Sequence, residues 1–163
     1  MAYKEKKTII MIVTGIAVLT AYCYYSFGCS TAATDTDAIL KQQAITMLKF
    51  IGIGIVAMIV IQILFHILYS ISLAIASQIK TGNCDDKDIE KMIELEVVED
   101  ERDKIIELKS LRVGFTFAGI GFISALVWIV MDGSAAYLLN IIFISFSLGS
   151  ILEGFTRLYY YSR

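Results

Sequence analysis

Uncharged residues fill four long stretches of the sequence, at residues 8–34, 50–79, 113–131 and 133–152. A helix needs roughly 20 apolar residues to cross the ~30 Å hydrocarbon core of a bilayer, so each stretch is long enough to span it. Transmembrane strands would instead show alternating polarity over ~10 residues, and these stretches do not alternate. The pattern therefore predicts an all-α membrane protein with four transmembrane helices.

The helices fall into two hairpins separated by a polar segment. We predict, in chain order, a hairpin over residues 1–79 with helices at about 8–30 and 44–79, a cytoplasmic helical segment at 80–112, and a hairpin over 113–163 with helices at about 113–131 and 135–158. No helix breaker separates Asp103 from Met131, so the second part of the polar segment should continue directly into the third membrane helix.

Composition supports this class. Of the 163 residues, 57% are hydrophobic and 18% charged, whereas charged residues make up roughly 25% of soluble domains. Disordered chains need low hydrophobicity and high net charge, so they are excluded as well. The chain contains no proline, which suits four unkinked helices in a bundle better than the broken helices of many transporters.

The distribution of lysine and arginine predicts the orientation. Twelve of these residues lie at the two termini or in residues 80–112, and two, Lys41 and Lys49, lie in the loop and helix start between the first two apolar stretches. Cytoplasmic flanks of membrane helices carry the excess of positive charge. We therefore expect a multi-pass protein of the inner (cytoplasmic) membrane with both termini and the polar segment in the cytoplasm.

The polar segment is nevertheless acidic overall. Residues 80–112 contain seven basic and eleven acidic side chains, a net charge of minus four. This charge disfavours nucleic acid and an anionic lipid surface as its partner. A cytoplasmic protein or the same segment of a second subunit fits better, although a simply solvated face would look the same. The candidate partner-binding residues are Glu99, Asp100, Glu101, Arg102, Asp103 and Glu107.

A family resemblance rests on the same region. The run from Glu99 to Lys109, EDERDKIIELK, resembles the DERD-x-x-IE-x-(K/R) junction of small four-helix bacterial inner-membrane proteins of unknown function. The KEK run near the N-terminus and the Tyr/Arg-rich tail at 157–163 are similar too. About eleven residues carry the resemblance specifically. It implies a regulatory inner-membrane protein, of a kind often encoded beside helix-turn-helix regulators, and supplies no catalytic residues.

One polar stripe lies within the second apolar stretch. Gln62, His66, Tyr69 and Ser70 are spaced i, i+4, i+7 and i+8, so they share one helix face. Polar groups at membrane depth usually face the bundle interior. The stripe could form a proton-linked, ligand-binding or haem-binding pocket, or it could hydrogen-bond between helices. One histidine without a cysteine or carboxylate at ligand spacing does not indicate a metal site.

An ion pair is predicted near the inner end of the last helix. Glu153 is the acid that ends the fourth apolar stretch, and Arg157 follows four residues later. Glutamate preceding arginine at this spacing is the favourable orientation on a helix. We expect a structural pair at the inner interface, with a gating or proton-carrying role for Glu153 as the alternative.

Small residues mark helix faces suited to close packing. They occur at helical spacing, at Gly114, Ala118, Gly121, Ala125 and Gly149. Such residues let helix backbones approach closely in membranes. The sequence does not show whether the packing is within or between subunits, but four helices make a thin bundle, so we favour a homo-oligomer.

The cysteines do not form a disulfide framework. Cys23, Cys29 and Cys84 fall in different compartments under the predicted topology. Cys29 could pair with a second subunit. The residues before Cys29 fit a lipoprotein cleavage site poorly, so we expect the first helix to be retained. No catalytic motif or paired-carboxylate arrangement is found, and no cofactor is expected.

We therefore predict a non-enzymatic, oligomeric inner-membrane protein. Its acidic segment would signal to, or tether, a cytoplasmic protein. The alternative is a small ion channel or proton-linked transporter whose pathway is lined by Gln62, His66 and Tyr69. A membrane enzyme is the third possibility.

Overall fold

The computed structural model describes residues 3–28, 36–81 and 101–162, and all of its regular elements are helices. In chain order they are α1 (Tyr3–Gly28), α2 (Thr36–Thr81), α3 (Glu101–Val130) and α4 (Ala135–Tyr161). The described part contains no strand, so the predicted all-helical, four-helix class is confirmed at that level. Several predicted features lie outside the described residues: Cys29, Cys84, Glu99, Asp100 and most of the polar segment.

Each helix contains a span long and apolar enough to cross a membrane. These spans are Lys4–Gly28, Asp37–Ser72, Glu101–Val130 and Tyr137–Tyr161. The chain is thus compatible with a multi-pass membrane protein.

The helix bounds extend beyond the apolar stretches. α2 begins at Thr36, against a predicted start at about residue 44, and α4 ends at Tyr161, against about 158. Helical hydrogen bonding continues through polar residues at the membrane surface, whereas the apolar stretch records only the part inside the hydrocarbon. α3 runs without a break from Glu101 to Val130, as expected from the absence of a helix breaker.

α4 occupies the centre of the arrangement. It packs most extensively against α3 and also contacts α1 and α2, while α1 packs against α2. α3 and α2 therefore lie on different sides of α4.

The α3–α4 interface is built from small residues. Gly114, Ala118, Gly121 and Ala125 are buried on α3, and Gly149 is buried on α4. A Cβ atom on Gly149 would lie 2.6 Å from the carbonyl oxygen of Gly114, and one on Gly121 would overlap Ser145. For these glycines the close packing occurs within one chain.

Much of the surface of α2 is apolar and exposed. Leu48, Val56 and Leu68 expose 70%, 60% and 64% of their surface, and all three lie within the candidate span. Apolar side chains exposed along a whole helix would be costly in water, so this surface requires lipid or another apolar partner.

Candidate functional site

Charged side chains gather where three helix ends meet. Lys4, near the start of α1, forms an ion pair with Asp103, near the start of α3. Tyr161, at the end of α4, lines the same cavity as Lys4 and Asp103. The start of α1, the start of α3 and the end of α4 thus lie at one end of the helices.

Arg157 of α4 joins two helices at this end. Its Nη2 atom donates to Glu153 Oε1 at 2.8 Å, which is the ion pair predicted from the i, i+4 spacing. The same nitrogen lies 3.3 Å from Glu107 Oε1 on α3. Within the described residues, the Nε atom of Arg157 is buried and has no hydrogen-bond acceptor.

These groups line a cavity of about 470 Å³, here called the polar cavity. All four helices contribute polar or charged lining residues: Lys4, Lys7, Thr8, Gln62, His66, Asp103, Glu107, Arg157 and Tyr161. The arrangement combines cationic and anionic groups around a space large enough for a small polar headgroup. It therefore has the chemistry of a binding site for a charged group, and its carboxylates already have cationic partners.

Of the four residues in the predicted polar stripe of α2, two line the polar cavity and two do not. Gln62 and His66 line it. Ser70 donates its hydroxyl to the backbone oxygen of His66 at 2.9 Å, which is an ordinary bond within a helix. The ring of Tyr69 lies beneath the ammonium group of Lys6, 6.0 Å from ring centroid to Nζ. Only the first two members of the stripe therefore reach the charged cluster.

A second polar cluster lies at the other end of the helices. Tyr22 is fully buried, donates its hydroxyl to Asn140 Oδ1, and packs on Phe143 with ring centroids 3.9 Å apart. Ser26 Oγ lies 3.1 Å from Asn140 Oδ1 and 3.3 Å from Gln43 Oε1. The sequence interpretation missed this cluster. Asn140 is the only amide side chain in the fourth apolar stretch, and that could have identified it.

The two polar clusters lie about one hydrocarbon thickness apart. Along α1, 18 residues separate Thr8 from Ser26, which is ~27 Å at 1.5 Å per residue. Along α4, 17 residues separate Asn140 from Arg157, or ~26 Å. Both distances approach the ~30 Å core of a bilayer. His66 lies at the level of the charged cluster, because it lines the same cavity as Lys4 and Arg157.

An apolar groove of about 740 Å³ lies between the two clusters, bordered by α1, α2 and α4. Its lining includes Val18, Phe50, Met58, Phe143 and Phe146, together with Gly54 of α2. A small cavity of about 30 Å³ shares lining residues with both the groove and the polar cavity. The three spaces therefore adjoin one another.

The candidate partner-binding residues occupy different environments. Asp103 and Glu107 are paired with Lys4 and Arg157 of the same chain. Glu101 and Arg102 are exposed at the start of α3.

The described residues offer few groups for metal or redox chemistry. In these three ranges no group of three or more His, Cys, Asp or Glu side chains could hold a metal ion. Cys23 is a half-buried free thiol. The chemistry at the charged end is that of ion pairs and hydrogen bonds.

No family model matches the chain, and no curated protein or solved structure gives a significant match. The resemblance at residues 99–109 therefore stays a prediction.

Proposed function

We propose that this protein is a non-enzymatic, multi-pass inner-membrane protein that tethers a cytoplasmic protein and communicates with it through α3. One observation carries the proposal. α3 begins within the acidic segment, at Glu101, and runs unbroken to Val130. Near its start it is paired to α1 through Lys4–Asp103 and to α4 through Glu107–Arg157.

These ion pairs are suited to rearrangement. The side chains of Lys4 and Asp103 are about one-fifth exposed, and that of Glu107 is 53% exposed. Ion pairs in contact with water contribute about 0–1 kcal/mol each. The binding free energy of a partner at the start of α3 can therefore exceed the free energy that these ion pairs contribute. A shift of α3 would then displace α4, because the two helices share an interface of small residues.

The proposed protein has its charged end in the cytoplasm and forms a homo-oligomer. The positive-inside rule places the charged end in the cytoplasm, where a soluble partner can reach Glu101 and Arg102. The exposed apolar surface of α2 supports a homo-oligomer, because a second copy would cover it. The resemblance of the α3 start to small membrane proteins encoded beside helix-turn-helix regulators supports a regulatory partner.

Transport is the less favoured function. Between the two polar clusters, the described lining of the groove is mainly apolar, with Phe50, Phe143 and Phe146 among its walls. An ion crossing this layer would lose its hydration without replacement ligands. His66 and Gln62 serve the polar cavity at one end only.

The test is affinity purification of the full-length protein from membranes of its native host, with quantification of co-purifying proteins. We expect a partner to be lost when Glu101→Lys is combined with Arg102→Glu, and when residues 85–98 are deleted. The control is Lys41→Glu combined with Lys49→Glu. These substitutions alter charge near the start of α2, at the end of the helices opposite to Glu101 and Arg102, and should retain the partner.

Proton flux in proteoliposomes is the measurement that could contradict the tethering function. If the purified protein conducts protons, and His66→Ala abolishes the flux while deletion of residues 85–98 leaves it intact, the tethering function is wrong and the transport function replaces it.

A further inference from the structure

We propose that the polar cavity and the apolar groove form one binding site for an anionic phospholipid, taken from the leaflet on the side of the chain termini. The phosphate would lie against Lys7 and Arg157, and one acyl chain would lie in the groove. This site is distinct from the surface proposed to bind a cytoplasmic protein.

Continuity of the three spaces is the first support. Met58, Gly15 and Ser150 line both the groove and the small connecting cavity. Thr8, Met11 and Arg157 line both the connecting cavity and the polar cavity. The positions proposed for the charged head and the apolar tail are therefore next to each other along α1 and α4.

Charge at the polar end favours an anion. Of the three cations that line the polar cavity, Arg157 is already paired with Glu153 and Glu107. Within the described residues Lys7 makes no ion pair with a carboxylate, whereas Lys4 is paired with Asp103. An anionic headgroup would supply the counter-charge that Lys7 lacks among the described residues.

Arg157 provides an unused donor. Its Nη2 atom already serves Glu153 and Glu107, yet its buried Nε–H has no acceptor in the described part of the chain. A buried donor without an acceptor is costly, and guanidinium groups bind phosphate oxygens in a fork geometry. Because Nε is buried, the Arg157 side chain would have to turn toward the cavity to present this donor to a phosphate oxygen, while Lys7 neutralises the charge.

The depth of the groove fits an acyl chain. Its α2 wall runs from Met47 to Ile59, 12 residues or ~18 Å of helix. One leaflet of the hydrocarbon core is ~15 Å deep, half of the ~30 Å total. The groove starts close to the polar cavity and extends toward the opposite cluster, as a lipid tail does from its headgroup.

Two polar groups without a partner among the described residues favour a lipid over a second protein helix. A helix from another copy could fill the apolar groove, but an apolar helix face would leave Lys7 and the Nε–H of Arg157 without a counter-charge or acceptor. A lipid supplies the apolar tail and the phosphate in one molecule. We therefore commit to the lipid as the occupant.

The experiment measures binding of phosphatidylglycerol to the delipidated full-length protein in detergent by native mass spectrometry, with phosphatidylcholine as the zwitterionic comparison. We expect one tightly retained phosphatidylglycerol per chain. Removing one headgroup cation by Lys7→Gln should lower its affinity about fivefold. The matched control is Lys6→Gln, because Lys6 is adjacent in sequence and lies outside the cavity lining.

A second pair of variants tests the tail. Gly54→Leu places a side chain in the groove, where a Cβ would meet Val18 at an ordinary 3.8 Å, so the fold should tolerate it. We expect it to weaken phosphatidylglycerol binding at least as much as Lys7→Gln. Gly52→Leu is the control, since a Cβ at Gly52 meets nothing within 4 Å and Gly52 does not line the groove.

Three outcomes would overturn the proposal. Equal retention of phosphatidylglycerol and phosphatidylcholine would show ordinary annular lipid. Equal effects of Lys7→Gln and Lys6→Gln would remove the headgroup assignment. Competition by inorganic phosphate, together with no effect of Gly54→Leu, would show a site for free phosphate and not for a lipid. Retention of the cytoplasmic partner by the Lys7 and Gly54 variants would keep this result separate from the proposed function.

Discussion

Gly114 of α3 and Gly149 of α4 face each other so closely that a Cβ on either would lie within 3.0 Å of the other's carbonyl oxygen. The atoms in contact are backbone atoms, which cannot move aside as a flexible side chain can. The two helix axes are therefore held at a separation that only glycine allows, and α4 can bring Glu153 and Arg157 against α3.

We expect Gly149→Ala to destabilise the protein by about 1–3 kcal/mol, because the added methyl forces the two backbones apart. The free energy of unfolding in mixed detergent and sodium dodecyl sulfate measures this. The control is Gly119→Ala, since a Cβ at Gly119 meets nothing within 4 Å. Alanine is the better helix former, so the control should be neutral or slightly stabilising. Equal losses for both variants would contradict the close-packing role.

The turn between α3 and α4 gives a spectroscopic test. Trp128 is the only tryptophan, its Nε1 lies 3.3 Å from the backbone oxygen of Ser134, and its ring abuts Gly133. A Cβ on Gly133 would overlap the indole, so Gly133→Ala should displace the ring and shift its fluorescence emission.

Ser134→Ala is the matched control for the turn. The Ser134 side chain makes no capping hydrogen bond, and the bond to Trp128 uses the backbone oxygen that alanine retains. Its emission spectrum should match that of the unaltered protein. An unchanged spectrum in Gly133→Ala would show that the indole does not rest on Gly133.

Sequence patterns predicted the features that depend on the spacing of residues close together in the chain. The four helices follow from the length of the apolar stretches, and the Glu153–Arg157 pair follows from i, i+4 geometry. The cavity that Gln62 and His66 share with residues of the other three helices did not follow, because the spacing within α2 carries no information on which residues of other helices lie opposite.

The same sequence patterns could not predict contacts between residues far apart in the chain. Lys4 and Asp103 are 99 positions apart, and Tyr22 and Asn140 are 118 apart. Their contact depends on which helices are neighbours and how they are rotated, and hydropathy carries no information on either. Asn140 could be flagged as an isolated amide in an apolar stretch, but its partner could not be named.

The buried hydroxyl of Tyr22, in the second polar cluster, should contribute to the stability of the protein. Tyr22→Phe removes the hydroxyl that donates to Asn140 Oδ1 while keeping the ring packed on Phe143. We expect a loss of about 1 kcal/mol, the usual scale for an interhelical hydrogen bond in a membrane protein. Ser26 stays beside the same Asn140 oxygen at 3.1 Å, which limits the loss.

Tyr24→Phe is the control for Tyr22. Tyr24 lies two residues away on α1 and is 83% exposed. Its hydroxyl faces the surroundings, so removing it should leave the free energy of unfolding unchanged within error. A larger loss for Tyr24→Phe than for Tyr22→Phe would contradict the buried hydrogen bond.

The Lys4–Asp103 pair predicts a charge-swap rescue, which bears on how α3 is held. Lys4→Glu and Asp103→Lys should each lower stability, because each places like charges at the junction of α1 and α3, and the double variant should recover most of the loss. The coupling should be about 0.5–1 kcal/mol, since both side chains contact solvent. Lys6→Glu is the control, and combining it with Asp103→Lys should give no rescue. If the swapped pair recovers stability in detergent but weakens capture of the cytoplasmic partner, the pair does more than hold the helices together, as a coupling role for α3 requires.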